Sequence, residues 1–173
     1  MSTIREASGY PGPVAEQRPQ WLDDEEMRAW RGLVEVSADM NAALEADLLA
    51  GFGIDGGDYA VLVNLSEATD QRLRMCDLAN RLHLSPSGLT RRLDGLVRGG
   101  YVAREPSATD RRVTLAVLTP EGLEMLEAAA PVHVEGVRRQ FVDHLSRTQI
   151  RQLGAAFDAL RRRRALDEAA ETA

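Results

Sequence analysis

All 21 basic residues of this 173-residue chain are arginines, and none is lysine. A guanidinium presents its N–H donors in a planar fork that fits a phosphate or the O6/N7 edge of guanine, whereas an ammonium meets them only as a point charge. Placement decides whether that chemistry is usable. Residues 1–69 hold 4 arginines against 13 acids, residues 70–112 hold 9 against 5, and residues 113–173 hold 8 against 9. A +4 island therefore lies between segments of −9 and −1 in a chain whose formal charge is −6. Such a concentrated patch on an acidic scaffold suits double-stranded DNA held in one orientation better than indiscriminate binding to polyanions.

Other chemistries lack their residues. The single cysteine, Cys76, excludes an internal disulfide, and His83, His133 and His144 have no metal-ligand spacing. There is no glycine-rich phosphate loop, no readable Ser/His/Asp or Cys/His neighbourhood and no paired-carboxylate spacing. The expectation is a protein that is not an enzyme and takes no metal and no cofactor. With 44% apolar and 28% charged residues and no run of eighteen uncharged apolar residues, the composition is that of a globular cytoplasmic chain with no membrane partner.

The island needs elements to aim it. Residues 1–20 hold three prolines and no apolar periodicity and read as a flexible arm, with one folded region over 21–173. Asp23 and Glu26 form a capping box for a long amphipathic helix, and apolar residues from Met27 to Leu48 carry it to about Gly51. GFGIDGGD then reads as a loop, and Tyr59–Ala68 as a short buried helix. Towards the carboxyl end, Thr119, Pro120 and Glu121 open a helix in which Pro131 should impose a kink or break. Ser146 and Gln149 cap another that carries Arg161–Arg164. These outer helices, 21–52 and 120–164, have more apolar stripe than so small a core needs, which suggests pairing with a second copy.

Between them, within 58–119, Leu78, Ala79, Leu82, Leu84 and Leu89 have the spacing of a helix-turn-helix, with His83 as a solvated turn residue. Ser85 caps the second helix, Pro86 opens it and Gly99-Gly100 end it. Leu89, Leu93, Leu96 and Val97 fall on one side, and Ser87, Gly88, Arg91, Asp94, Gly95 and Arg98 on the other. Small residues first and cations later suit insertion into a major groove, so Ser85, Ser87, Gly88, Thr90, Arg91, Arg92 and Arg98 are the expected DNA contacts. Tyr101–Glu105 and Val113–Leu118 alternate as two strands of a hairpin whose loop presents Asp110, Arg111 and Arg112 to a minor groove. Asp110 is positioned to hold an arginine side chain extended by a charge-assisted bond.

The segments RMCDLANRLHLSPSGLTRRLDGLVRGGYVARE and DRRVTLAVLTPEG, with a long helix on either side, resemble the MarR family of winged-helix transcriptional regulators over residues 21–164. The resemblance implies a mainly α (α+β) winged helix-turn-helix with amino- and carboxyl-terminal dimerisation helices. It further implies a homodimer binding a pseudo-palindromic operator through two recognition helices about 34 Å apart, in the manner of a repressor. It carries the minor-groove role to Arg112 with Asp110 as its partner. Release by a small anionic or aromatic effector is implied too, for which Trp30, Arg31, Tyr59 and His133 offer aromatic surface beside a cation or titratable group. Cys76 reads as a packing residue, oxidative sensing being the alternative. A helical protein–protein adaptor that keeps the fold without operator binding is the rival to the whole reading.

Overall fold

The computed structural model describes residues 20–171, so the arm expected over 1–20 lies, apart from Gln20, outside the described residues. Two compact units, Met1–Glu35 and Val36–Ala173, divide the chain within its first helix. That helix, α1 (Asp24–Phe52), starts at the expected box: Asp23 N–H donates to Glu26 Oε2 at 3.0 Å, and Glu26 N–H to Asp23 Oδ1 at 2.8 Å. The order continues α2 (Gly56–Ser66), β1 (Arg72–Arg74), α3 (Met75–Arg81), α4 (Pro86–Arg98), β2 (Val102–Pro106), β3 (Thr114–Leu118), α5 (Pro120–Gln140) and α6 (Arg147–Glu171).

The second unit is organised around buried leucines. Leu48 of α1, Val61, Leu62 and Leu65 of α2, Leu78 of α3, and Leu89, Leu93 and Leu96 of α4 are all nearly or fully inaccessible. With Ala79, Val102, Ala116, Leu118, Leu126 and Ala129 they form one core. At about 1.5–3 kcal/mol for each large side chain removed from water, this cluster is the main stabilising term.

The turn between α3 and α4 is set by backbone hydrogen bonds. His83 N–H donates to Asn80 O at 3.1 Å and Leu84 N–H to Ala79 O at 2.9 Å, a Schellman closure that requires a left-handed residue between them. His83 supplies it at φ +52°, exposed as expected. Glycine meets the same demand at the end of α4, where Gly100 has φ +79° and Tyr101 N–H returns to Leu96 O at 2.9 Å.

Several boundaries differ from expectation for identifiable reasons. The helix read from Tyr59 begins at Gly56, because Asp55 caps it by accepting from Asp58 N–H at 2.7 Å. The hairpin gains a third strand: β1 pairs antiparallel with β3, giving the order β1-β3-β2 with Leu73 opposite Ala116. Three residues, two of them arginine, carry too little alternation to announce a strand. Pro131 does not break α5, which runs on to Gln140. Pro131 and Glu127 are exposed, so the carbonyl left without a donor faces solvent. The Arg161–Arg164 run is not at a helix end, since α6 continues to Glu171; Arg161 pairs with Asp158 at 3.0 Å and Arg163 with Asp167 at 3.3 Å.

The sheet is locked to α5 at one backbone crossing. Thr119 Oγ1 accepts from Gly122 N–H at 3.0 Å as the helix cap and donates to Gly100 O at 2.7 Å. Gly122 is buried there, and a Cβ added to it would overlap Tyr101 O and stand 2.9 Å from Leu118 Cδ1. Gly122→Ala should therefore force backbone apart and lower stability by about 2 kcal/mol, a fall in Tm of about 4–8 °C by calorimetry. An unchanged Tm would show that the crossing yields without cost.

Candidate nucleic-acid interface

On α4 the buried stripe of Leu89, Leu93 and Leu96 turns Ser87, Thr90, Arg91, Asp94 and Arg98 outward, all exposed. The helix opens as expected: Ser85 Oγ accepts from Gly88 N–H at 3.1 Å, and Pro86 occupies the first turn. Ser85 and Ser87 hydroxyls lie 3.2 Å apart, and Thr90 Oγ1 donates to Pro86 O at 2.9 Å.

The arginines of residues 70–112 divide into two groups. Arg72, Arg92 and Arg104 are engaged within the protein. Arg104 Nη2 donates to Thr90 O at 2.9 Å and lies 2.8 Å from Asp94 Oδ1, which fastens β2 of the wing to α4. Arg72 lies 3.8 Å from Glu105 across the sheet. Arg74, Arg81, Arg91, Arg98, Arg111 and Arg112 make no side-chain ion pair or hydrogen bond among the described residues, and all are exposed. Arg92, expected among the DNA contacts, is turned instead to partners within the protein. Its Nη1 lies 2.5 Å from Asp55 Oδ1 and 2.9 Å from Asp58 Oδ1, part-buried against the start of α2.

The wing loop also differs in one contact. Asp110 Oδ1 accepts from the backbone N–H of Arg112 at 3.0 Å and not from its guanidinium, so it shapes the turn and leaves the side chain unheld. Ser107 N–H to Val113 O at 2.8 Å closes the hairpin, with Arg111 and Arg112 exposed at its tip. A cleft of about 560 Å³ joins the wing to the helix-turn-helix, lined by Arg112 and Arg104 of the wing, Pro86, Leu89 and Thr90 of α4, and Arg74, Met75 and Cys76 before and in α3. Arg74 escaped the sequence reading because β1, which carries it, did. Cys76 is exposed and not a packing residue: α3 turns Leu78 and Ala79 inward, and the thiol faces Asp77 Oδ1 at 3.6 Å.

Of the four expected effector residues, two are in contact. The rings of Tyr59 and His133 have centroids 4.4 Å apart and planes 33° apart. Burial lowers the His133 pKa below its ordinary value and raises that of Tyr59, so both rings are neutral at neutral pH. His133 Nδ1 is buried without a hydrogen-bond partner among the described residues. Trp30 and Arg31 belong to the amino-terminal unit, where Trp30 is exposed and Arg31 lines a groove along α1 with Met27, Arg28 and Glu35. Among the described residues no group of acids, histidines and cysteine is placed to hold a metal ion.

The two acids around Arg92 are not equivalent. Burial, then the neighbouring Asp55 charge, raises the Asp58 pKa above its ordinary value despite Arg92. Burial opposes the Arg92 charge as well, yet Asp55 and Asp58 outweigh it and hold the guanidinium above its usual range. A carboxyl whose pKa rises on folding favours the folded state at low pH and loses that contribution as pH rises through the raised value. Asp58→Asn should therefore be as stable as wild type or more so at pH 7, with any advantage vanishing in the acid range. Asp55→Ala, which removes the cap of α2, should cost about 1–2 kcal/mol. Thermal melts across pH check both, and equal losses in the two variants would contradict the distinction.

The MarR family model matches residues 52–113. The chain is 31% identical over 142 residues to the HTH-type transcriptional repressor YetL of Bacillus subtilis (strain 168), covering 80% of this chain and 84% of that one. The fold superposes on AbsC, a MarR family transcriptional regulator from Streptomyces coelicolor, with a TM-score of 0.79 and 39% identity, over 84% of this chain and 97% of the other. It likewise matches Sco3205, a MarR family regulator from Streptomyces coelicolor solved in complex with DNA, with a TM-score of 0.78 and 34% identity, over 83% and 90% of the two chains. The identity and coverage together with the winged helix-turn-helix place this chain in the MarR family of DNA-binding transcriptional regulators.

Proposed function

We propose that this regulator is a cytoplasmic homodimeric repressor that binds a pseudo-palindromic operator, reading the major groove with α4 and the minor groove with the wing. The observation that carries the reading is the sorting of the arginines: Arg91, Arg98, Arg111 and Arg112 have no side-chain partner among the described residues, and the shared cleft brings Thr90 of α4 and Arg112 of the wing together. Unpaired guanidinia are available to phosphate and base edges. Ser85, Ser87, Gly88 and Thr90 allow close approach at the helix start, and Asp110 holds the turn that presents Arg112. YetL is named a repressor, which supports the same role here.

Exposed apolar residues support the dimer. Trp30 is 57% exposed on α1, and Leu160 and Leu166 are 57% and 66% exposed on α6, which buries no residue in the described chain. Apolar surface of this kind on helices marks a partner face, and two-fold pairing places two recognition helices one DNA turn apart. No described helix is long and apolar enough to cross a membrane.

The test uses a duplex selected by the wild-type protein from a random-sequence pool, because the operator is not otherwise defined. Arg91→Ala and Arg112→Ala should each weaken binding by about ten-fold or more, and affinity should fall with salt in the wild type. Unchanged affinity in both variants overturns the contacts; a flat salt dependence overturns DNA binding and favours the protein adaptor. Light scattering on the same samples should report a dimer.

The Tyr59–His133 pair supports an effector site for a small aromatic acid, since the unpartnered Nδ1 offers a polar group beside an aromatic face. An effector that favours the conformer with misplaced heads weakens operator binding by that preference. Salicylate, as probe, should raise the Tm of the wild type and not of His133→Phe. A shift that survives in His133→Phe places the ligand elsewhere.

A further inference from the structure

The stretch GFGIDGGD, which spans the end of α1 and the first turn of α2, reads as a glycine-rich linker, yet three of its residues converge on one side chain of α4. Asp55 Oδ1 caps α2 through Asp58 N–H and also accepts from Arg92 Nη1. Asp58 Oδ1 accepts from the same nitrogen at 2.9 Å. Between them, a Cβ on Gly57 would overlap Arg92 Cζ and stand 2.6 Å from both terminal nitrogens. The side chain missing at Gly57 is the space the guanidinium occupies.

Arg92 sits where the two faces of α4 meet. Leu93 and Leu96 beside it are buried, and Arg91 before it is exposed with no side-chain partner among the described residues. Burial of leucines sets how deep α4 lies, but apolar contact is non-directional and leaves rotation about the helix axis soft. Two directional hydrogen bonds from one guanidinium to a rigid, capped helix end do not. Reading a base edge requires placement to about 0.5 Å and 10–20°, so a tether one residue from Arg91 controls where Arg91 points. Arg91 also shares a hollow of about 330 Å³ with Asp55, Asp58 and Gly88, open beside the tether.

We propose that Arg92 is a positioning residue, which through Asp55 and Asp58, in the space left by Gly57, fixes the rotation of α4 and the aim of Ser87 and Arg91 and does not itself touch DNA. The proposal rests on the reading of α4 as the recognition helix.

The test compares full-length wild type with Arg92→Met, Arg92→Lys and Gly57→Ala, each shown folded by circular dichroism. Gly57→Ala displaces the guanidinium without removing its charge. Two probes are titrated by fluorescence anisotropy over a salt series: the duplex that the wild type selects from a random pool, and an unselected duplex of the same length. Arg92→Met and Gly57→Ala should each weaken the selected duplex by about ten-fold while leaving the unselected duplex and the salt slope unchanged, with Arg92→Lys intermediate. Equal weakening of both duplexes by Arg92→Met, with a salt slope smaller by about one and no effect of Gly57→Ala, makes Arg92 a phosphate contact and overturns the proposal. A lowered Tm with both affinities unchanged overturns it too, leaving a purely structural ion pair. If the wild type selects no duplex, the DNA-binding reading itself falls, an outcome visible before any variant is made.

Discussion

Burial of Leu89, Leu93 and Leu96 along one stripe of α4 is the constraint on which the remaining architecture depends. With 3.6 residues per turn, seating that stripe compels Ser87, Arg91 and Arg98 to the opposite side. The socket is assembled from most other parts of the second unit, α6 excepted: Leu48 from α1, Val61, Leu62 and Leu65 from α2, Leu78 from α3, Val102 and Leu118 from the sheet, Leu126 from α5. α4 is thus the centre of the core along one side and solvent-exposed along the other.

Polar contacts then refine what the leucines leave loose. Arg104 fastens the wing to α4 through Thr90 O and Asp94, Arg92 fastens α4 to α2, and Thr119 fastens α5 to the turn at Gly100 that follows α4. Arg92 and Arg104 tie elements of the second unit together, whereas Arg91, Arg98, Arg111 and Arg112 are exposed and have no side-chain partner among the described residues. A residue type chosen uniformly across the chain therefore serves two purposes, separated only by whether a carboxylate or carbonyl lies within reach.

Much of this was legible in the residues. Capping boxes at Asp23/Glu26 and Ser146/Gln149, proline at the first turn of α4 and α5, and the left-handed stop at Gly100 act through bonds only a few residues long, so local spacing was enough to place them. The resemblance carried by the wing segment was equally readable. What escaped notice depends on distant partners. β1 exists because β3 lies alongside it, and its three residues have no pattern of their own. Cys76 was expected inside, but α3 spends its inward face on Leu78 and Ala79. Pro131 was expected to interrupt a helix that continues because the affected carbonyl lies at the surface.

The sequence by itself determined the order of the helices and the wing hairpin, the apolar stripe that turns α4 and the arginine-rich composition of residues 70–112, since each follows from the residues themselves or from neighbours within a turn or two. Only the tertiary structure decided which arginines are available. Arg91 and Arg92 are adjacent and alike in sequence, and the 100° between them sends one outward and brings the other to Asp55 and Asp58, 37 and 34 residues earlier. An ion pair across that separation leaves no local trace, because its energy depends on where the folded core places both ends.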